Sequence, residues 1–281
     1  MPGFLLGDKA SAAGYRLTAF DTIGSTNTEA MAAAAAGDPG LVWFTTTEQT
    51  AGRGRRGRAW ISSRGNLAAS LLLVPNVDPA IAATLGFVAG IALNRALARV
   101  MPAGTVKIGI DGADGRNADK AARIALKWPN DVLADGAKLA GILLEAQKLP
   151  DGQSAIVIGF GVNVVAKPTD LPYPATCLSE HDLALDAAAV FRALSDAWVE
   201  CYELWDNGRG IADVLAVWRG FAAGLGAPVA VNRGGDIVRG IFETIDDSGR
   251  LIVRADDDTT IAITAGDVHF GATASVRPSQ N

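Results

Sequence analysis

Four arginines, Arg53, Arg55, Arg56 and Arg58, fall within six positions and alternate with Gly52, Gly54 and Gly57, in a chain whose net charge is −5. Positive charges this close repel one another and gain most when an anion organises them. A guanidinium grips phosphate or carboxylate through two parallel hydrogen bonds, and glycine lets backbone N–H groups come close to a ligand. The stretch predicts a mobile loop that closes over an anionic, phosphate-bearing ligand; a solvated basic loop is the competing reading. Residues 52–57 also spell G-x-G-x-x-G. A dinucleotide fingerprint must follow a strand and open a helix, whereas here Arg58-Ala59-Trp60 leads through a turn at 61–65 into another strand. That reading is rejected, and no P-loop pattern occurs.

Four further stretches could carry chemistry. Ser25-Thr26-Asn27-Thr28-Glu29 precedes an alanine-rich run. Thr26 with Glu29 reads as a capping box, and the spare hydroxyls and amide could equally bind a small polar ligand at the helix start. Lys127-Trp128-Pro129-Asn130-Asp131 ends a strand in a turn, with Trp128 held extended by the proline. Lys127 could reach a phosphate, and Asp131 could hold magnesium or pair with a base; a plain turn accounts for the segment as well. Lys138 stands at the mouth of an apolar strand. Gly159 and Gly161 share one strand, which glycine weakens unless something must approach the backbone closely. A flat ligand there or a β-bulge would explain them.

The elements that must position these residues can be read from periodicity. Strands are expected at 15–22, 41–47, 66–74, 124–128, 138–147 and 154–165, and helices at 28–36, 80–100, 183–205 and 211–221. Residues 109–121 are rich in glycine and aspartate and read as an exposed loop. After residue 225 only strands and turns follow, which suggests a small closed β-barrel. The fold class is α+β, a mixed and largely antiparallel sheet with helices, divided into domains at 1–225 and 226–281.

Composition excludes several classes. The chain has 281 residues, 49% hydrophobic and 20% charged, as in ordinary globular proteins. The acidic balance argues against a general nucleic-acid binder. Cys177 and Cys201 are the only cysteines, too few for a disulfide framework, which suits a reducing cytoplasm. With only His181 and His269, a histidine-based metal or triad site is not expected. No signal peptide is legible, and no uninterrupted apolar run of bilayer-spanning length is expected.

Taken together, these stretches resemble the biotin protein ligases. The resemblance rests on Ser25-Thr26-Asn27, then Glu48-Gln49-Thr50-Ala51-Gly52-Arg53-Gly54-Arg55-Arg56-Gly57-Arg58-Ala59-Trp60, Lys127-Trp128-Pro129-Asn130-Asp131, Lys138-Leu139-Ala140-Gly141-Ile142 and Gly159-Phe160-Gly161-Val162-Asn163. Order and spacing agree across residues 15–165, and a small C-terminal SH3-like β-barrel fits too.

The resemblance implies a two-step reaction. Biotin and ATP give biotinyl-5′-AMP and pyrophosphate; then a lysine of a biotin carboxyl carrier domain, of acetyl-CoA carboxylase or a related carboxylase, takes the biotin. Magnesium accompanies ATP, with Asp131 as the implied ligand. Arg53, Arg55 and Lys138 would be the catalytic cations. Ser25, Thr26, Asn27, Gln49, Gly52, Gly54, Trp60, Gly141, Gly159 and Gly161 would join them around biotin and its adenylate. Arg55, Arg56, Arg58, Trp60, Lys127, Asn130 and Asn163 would hold the nucleotide.

A homodimer is compatible with this reading; contact with DNA or a membrane is not expected. Only about fourteen residues precede the first expected strand, which leaves no room for the winged-helix domain of many family members. The stretch at 109–121 is longer than family turns and receives no role. A lipoate- or octanoate-protein ligase is the nearest alternative; a sensor of biotinyl-AMP and a nucleic-acid binder are the others.

Overall fold

The computed structural model describes residues 3–101, 106–108, 122–169, 171–181 and 185–270. The expected loop at 109–121 lies outside them. In chain order the first part comprises α1 (Asp8–Ala12), β1 (Arg16–Phe20), α2 (Thr26–Ala35), β2 (Val42–Thr46), β3 (Leu67–Leu73), α3 (Pro79–Ala83), α4 (Leu85–Val100), β4 (Val106–Ile108), β5 (Ala122–Lys127), β6 (Asp131–Ala134), β7 (Ala137–Lys148), β8 (Ser154–Val162), α5 (Ala187–Trp205) and α6 (Ile211–Phe221). The strands form one mixed sheet, ordered β1-β2-β3-β8-β7-β6-β5-β4. β1 with β2 and β4 with β5 run parallel; the remaining pairs are antiparallel.

The middle of this sheet is covered on both faces, which is why β3 reads Leu-Ala-Ala-Ser-Leu-Leu-Leu and is buried along its whole length. One face packs on α4, α5 and α6. There Trp43 meets the rings of Phe160, Phe191 and Trp198 at centroid separations of 5.6, 5.5 and 6.4 Å. Such pairs are each worth about 0.5–1.5 kcal/mol beyond the area they bury. Among the described residues the other face carries only α2, whose Ala30 and Ala34 pack on Phe44, Leu72 and Val157. Helix α2 is short, so the strip of sheet beyond its N-terminus is not covered by a helix.

Several boundaries differ from expectation for identifiable reasons. The long helix expected at 80–100 is two. It breaks at Thr84, whose hydroxyl donates to the Ile81 carbonyl and accepts from Trp205 Nε1 at 2.8 Å. Helix α5 starts at Ala187, because the Asp186 carboxylate caps it by accepting from Ala189 N. Strand β6 was not foreseen. Pro79–Val100 is by average apolarity long enough to cross a membrane over 22 residues, although Thr84, Asn94, Arg95 and Arg99 interrupt it, as expected of a chain without an unbroken apolar run. Most of α4 is buried, including Val88, Ile91, Leu93 and Leu97, which belong to the main core.

The C-terminal part holds β9 (Pro228–Asn232), β10 (Ile237–Ile245), β11 (Leu251–Arg254), β12 (Thr260–Ile263) and β13 (Asp267–Phe270). They form an antiparallel sheet ordered β12-β11-β10-β9-β13. Among the described residues β12 and β13 do not pair, so the expected closed barrel is an open sheet. It packs firmly on the larger part. Trp128 Nε1 donates to Gly249 O at 2.9 Å, and Arg219 donates twice to Ile245 O. Phe87 lies so close to Gly249 that a Cβ there would stand 2.4 Å from its ring.

Candidate functional site

The bare strip of sheet is the floor of a cleft of about 790 Å³, counted to its open mouth. Side chains alternate between faces along a strand, so the pairs Ser70–Gly159 and Ala68–Gly161 between β3 and β8, and Leu143–Gly159 and Gly141–Gly161 between β8 and β7, lie on the α2 face. Almost every position there is small, which leaves a hollow where a core would otherwise continue.

The register through Gly159 and Gly161 is unbroken, so no bulge explains these glycines. Each accepts a close neighbour. A Cβ on Gly161 would meet the Trp60 indole at 2.3 Å, and one on Gly159 would meet Asn27 Oδ1 at 2.3 Å. The flat group against the strand is the protein's own indole, which also lies over Gly141.

A connected polar network forms the inner wall. Gln49 Oε1 accepts from Thr26 N at 2.9 Å and Thr26 Oγ1 at 3.1 Å. Ser70 Oγ lies 2.7 Å from Thr26 Oγ1 and 2.5 Å from Asn27 Oδ1. A carbonyl oxygen has no proton to give, so the Ser70 hydroxyl donates to Asn27, and the single Thr26 hydroxyl proton is shared between Gln49 Oε1 and Ser70 Oγ. Asn27 Nδ2 donates to Glu145 Oε2 at 2.7 Å, which fixes the orientation of its amide. The capping box expected of Thr26 and Glu29 is absent. Ser25 is the N-cap of α2, in extended conformation, and its side chain makes no capping bond. Ser25, Thr26 and Asn27 are at most 5% exposed, and their polar groups turn into the cleft instead.

The rim is the arginine stretch. It is a small hairpin in which Trp60 N donates to Gly52 O, Gly54 N donates to Arg58 O, and Arg53 bridges Ala59. A Cβ on Gly52 would stand 2.4 Å from Trp60 O, and Gly57 takes φ +71 at the tip; these two glycines are required by the hairpin itself. The four guanidiniums are already paired with groups of the protein. Arg53 Nη2 donates to Glu145 Oε2 at 3.1 Å and Arg55 Nη1 to Asn130 Oδ1 at 2.9 Å. Arg56 Nη1 and Arg58 Nη2 donate to Asp267 Oδ2 at 3.1 and 2.6 Å.

Asn130 and Asp131 reach the cleft from the turn between β5 and β6, where the Trp128–Pro129 peptide is cis. Lys138 Nζ lies 2.8 Å from Asp131 Oδ1, between the rings of Trp60 at 5.7 Å and Tyr173 at 5.5 Å. It sits beside a register shift of β6 against β7, the kind of irregularity that re-aims side chains.

Charge and burial are balanced around this rim. Burial lowers the pKa of Arg55, with Asp267 acting against it and Arg56 adding to it. Burial also lowers Lys127, against the pull of Asp131. Burial would raise Asp267, but the hydrogen bond from Arg58 and the charges of Arg58, Arg56 and Arg55 outweigh it and hold the carboxyl below its usual range.

The cleft thus brings together Ser25, Thr26, Asn27, Gln49, Arg53, Gly54, Arg55, Arg58, Trp60, Asn130, Asp131, Lys138, Gly141, Gly159 and Gly161. Gly52 supports it from behind. Arg56 is outside the cleft lining and pairs with Asp267 at its border, and Lys127 lies under the ring of Phe270 at 5.9 Å. Asn163 is buried away from the cleft lining. Its Nδ2 donates to Thr176 O, and its Oδ1 has no hydrogen-bond partner. The donor set does not fit a resident metal: Asp131 is bound to Lys138, and the described residues hold no cluster of three or more His, Cys, Asp or Glu.

Sequence reasoning missed Ser70, Glu145, Tyr173 and Asp267. A lone serine in an apolar strand and a glutamate two steps in period from Gly141 and Leu143 were visible signals. Nothing local marks Tyr173 or Asp267. A second hollow of about 860 Å³ lies by Phe87, Trp128 and Gly249, and shares Arg55 and Asn130 with the cleft.

Known proteins are similar to this chain in sequence and fold. A profile of the biotin/lipoate A/B protein ligase family matches residues 22–163, and one of the biotin protein ligase C-terminal domain matches residues 224–271. The chain belongs to the biotin/lipoate A/B protein ligase family. It is 38% identical over 253 residues to a biotin–[acetyl-CoA-carboxylase] ligase of Paracoccus denitrificans, covering 88% of this chain and 97% of that protein. It is 33% identical to the enzyme of that name from Mycobacterium tuberculosis, over 87% of this chain and 85% of the relative. Its fold is that of the biotin protein ligase from Aquifex aeolicus solved in complex with biotin and ATP. The TM-score is 0.71 at 20% identity, over 91% of this chain and 99% of the other.

Proposed function

We propose that the chain is an ATP-dependent biotin protein ligase that forms biotinyl-5′-AMP and passes biotin to a lysine of a biotin carboxyl carrier domain, as the names of its relatives suggest. The observation that carries this reading is the meeting, in one cleft, of an uncharged polar wall with Arg53, Arg55 and Lys138 from two distant segments. Biotin has the matching chemistry at its two ends. Its ureido group is neutral and needs donors and acceptors, which Ser25, Thr26 and Gln49 offer. Its rings and valeryl chain need apolar, shallow walls, which the glycine strip and Trp60 offer. Its carboxylate needs cations.

In the first step a carboxylate oxygen attacks the α-phosphorus of ATP, the P–O bond to the β-phosphate breaks, and pyrophosphate leaves with the electron pair. Two anions approach each other, so the cations must screen them and stabilise the charge that develops on the phosphoryl oxygens. Lys138, oriented by Asp131 and flanked by two rings, is the fixed charge; Arg53 and Arg55 close from the rim. Magnesium is expected to travel with the ATP phosphates. Trp60 excludes water from the mixed anhydride. In the second step the neutral lysine amine attacks the biotinyl carbonyl, the C–N bond forms, AMP leaves, and the amine's surplus proton is released. The nucleotide roles of Arg56, Arg58, Lys127 and Asn130 belong to this proposal; Asn163, buried away from the cleft, is left without one. The free, buried Cys177 and Cys201 are consistent with a reducing compartment.

The test is exchange of radiolabelled pyrophosphate into ATP with biotin or lipoate supplied in turn, followed by streptavidin detection of a carrier domain. Biotin-dependent exchange and transfer are expected. Lipoate-dependent exchange would make it a lipoate ligase, and exchange without transfer a sensor.

A further inference from the structure

Building on the ligase reading, we propose that Asp267 takes the place of departing pyrophosphate as the anion held by Arg56 and Arg58, and thereby shuts the cleft over the adenylate. The four rim guanidiniums do not share one partner. Arg53 and Arg55 pair with Glu145, on β7 of the sheet that carries the floor, and with Asn130, in the turn between β5 and β6 of the same sheet. Arg56 and Arg58 cross to β13 of the other sheet, where the single oxygen Asp267 Oδ2 accepts from both. Asp267 borders the cleft, so this pairing pins the tip of the rim hairpin across the mouth.

The charges of substrate and product explain why such a pairing is useful. ATP brings three phosphates and the adenylate keeps one. The phosphate joined to biotin must stay within reach of Lys138, Arg53 and Arg55. The two that leave need cations farther out, and Arg56 and Arg58 are the guanidiniums there. Once pyrophosphate departs, both are left without an anion, and the carboxylate they meet is Asp267. Polyphosphate and Asp267 compete for the same N–H groups, so they bind in turn. The exchange is feasible because the pair is accessible: Arg56 is 41% exposed, Arg58 62% and Asp267 28%. Ion pairs of that kind are weak enough for a more highly charged anion to displace them. Release of the first product and closure over the intermediate become one event, and the C-terminal sheet supplies the carboxylate that couples them.

The experiment uses the full chain with Asp267→Asn, Asp267→Glu and Arg58→Met. Inhibition of adenylation by pyrophosphate and the lifetime of enzyme-bound biotinyl-AMP are measured for each. Asp267→Asn should bind pyrophosphate about fivefold more tightly and lose the adenylate about fivefold faster, the size of one exposed ion pair. Asp267→Glu should return both toward wild type. Arg58→Met should also shorten the lifetime but weaken pyrophosphate, a split of signs that a merely structural role for Asp267 would not produce. Unchanged or weaker pyrophosphate binding in Asp267→Asn, or an unchanged adenylate lifetime, overturns the proposal. A wild-type chain that forms no biotinyl-AMP would instead sink the ligase reading itself.

Discussion

The floor and the rim of the cleft are built in opposite ways. The floor and its inner wall rest on a largely buried chain of neutral groups, Gln49–Thr26–Ser70–Asn27, with Gln49 half-buried at its end, whose partners are fixed by strand register and the start of α2. The rim is a hairpin of arginines held by Glu145, Asn130 and Asp267 through contacts that are largely exposed. Buried hydrogen bonds are costly to leave unmade, whereas exposed ion pairs are worth about 0–1 kcal/mol and are readily exchanged. The difference assigns the two tasks of the proposed reaction: the floor selects an uncharged polar ligand, and the rim takes up and gives back phosphate.

Lys138 stands where floor and rim meet, so removing it should have the largest effect. Lys138→Ala should lower biotin-dependent pyrophosphate exchange on the order of 10²–10³-fold, the usual loss for one preorganised oxyanion partner. Gly161→Val should come next. Its side chain would occupy the place of the Trp60 indole, and biotin affinity measured by calorimetry should fall about 10–100-fold. Circular dichroism should remain that of the wild type, because Trp60 lies on the rim hairpin and can swing away.

Ser70→Ala breaks the floor from beneath. It leaves Asn27 Oδ1 buried without a donor, so denaturant unfolding should show a loss of about 1–3 kcal/mol. The rim should respond to solvent while the floor does not. Raising ionic strength from about 0.05 to 0.5 M should shorten the adenylate lifetime a few-fold and leave the affinity for a biotin analogue lacking the carboxylate unchanged, since exposed charges are screened within a few ångströms at high salt.

The pH response has a defined sign. The Asp267 carboxyl is depressed in the folded protein, so its contribution is complete above the ordinary carboxylate pKa near 3.9. That contribution is lost only as pH falls through the lower folded value. Adenylate retention should therefore not change through titration of Asp267 between pH 6 and 8.

What the sequence disclosed follows the same division. Gly159 and Gly161 announced a close approach, and the arginine hairpin announced anions, because both signals are local. The mixed sheet and most of its strands were legible from short apolar and β-branched runs bounded by turn residues. Asp267 was not, because its partners lie 211 and 209 residues away and a single aspartate in a meander carries no local mark. Strand β6 was hidden by the turn residues that open it. The capping box of Thr26 and Glu29 was read from composition, but the deep position of α2 sends Thr26 to Gln49 instead. The barrel was inferred from strand count alone, which does not determine whether the first and last edges meet.

The most direct test of the floor-and-rim account is a crystal structure of the chain with biotinyl-5′-AMP. It should show the ring system on the strip formed by Ser70, Gly159, Gly161 and Gly141, the ureido group against Ser25, Thr26 and Gln49, and the phosphate among Arg53, Arg55 and Lys138. An adenylate lodged instead in the hollow by Phe87 and Trp128, with the glycine strip still covered by Trp60 alone, would contradict it.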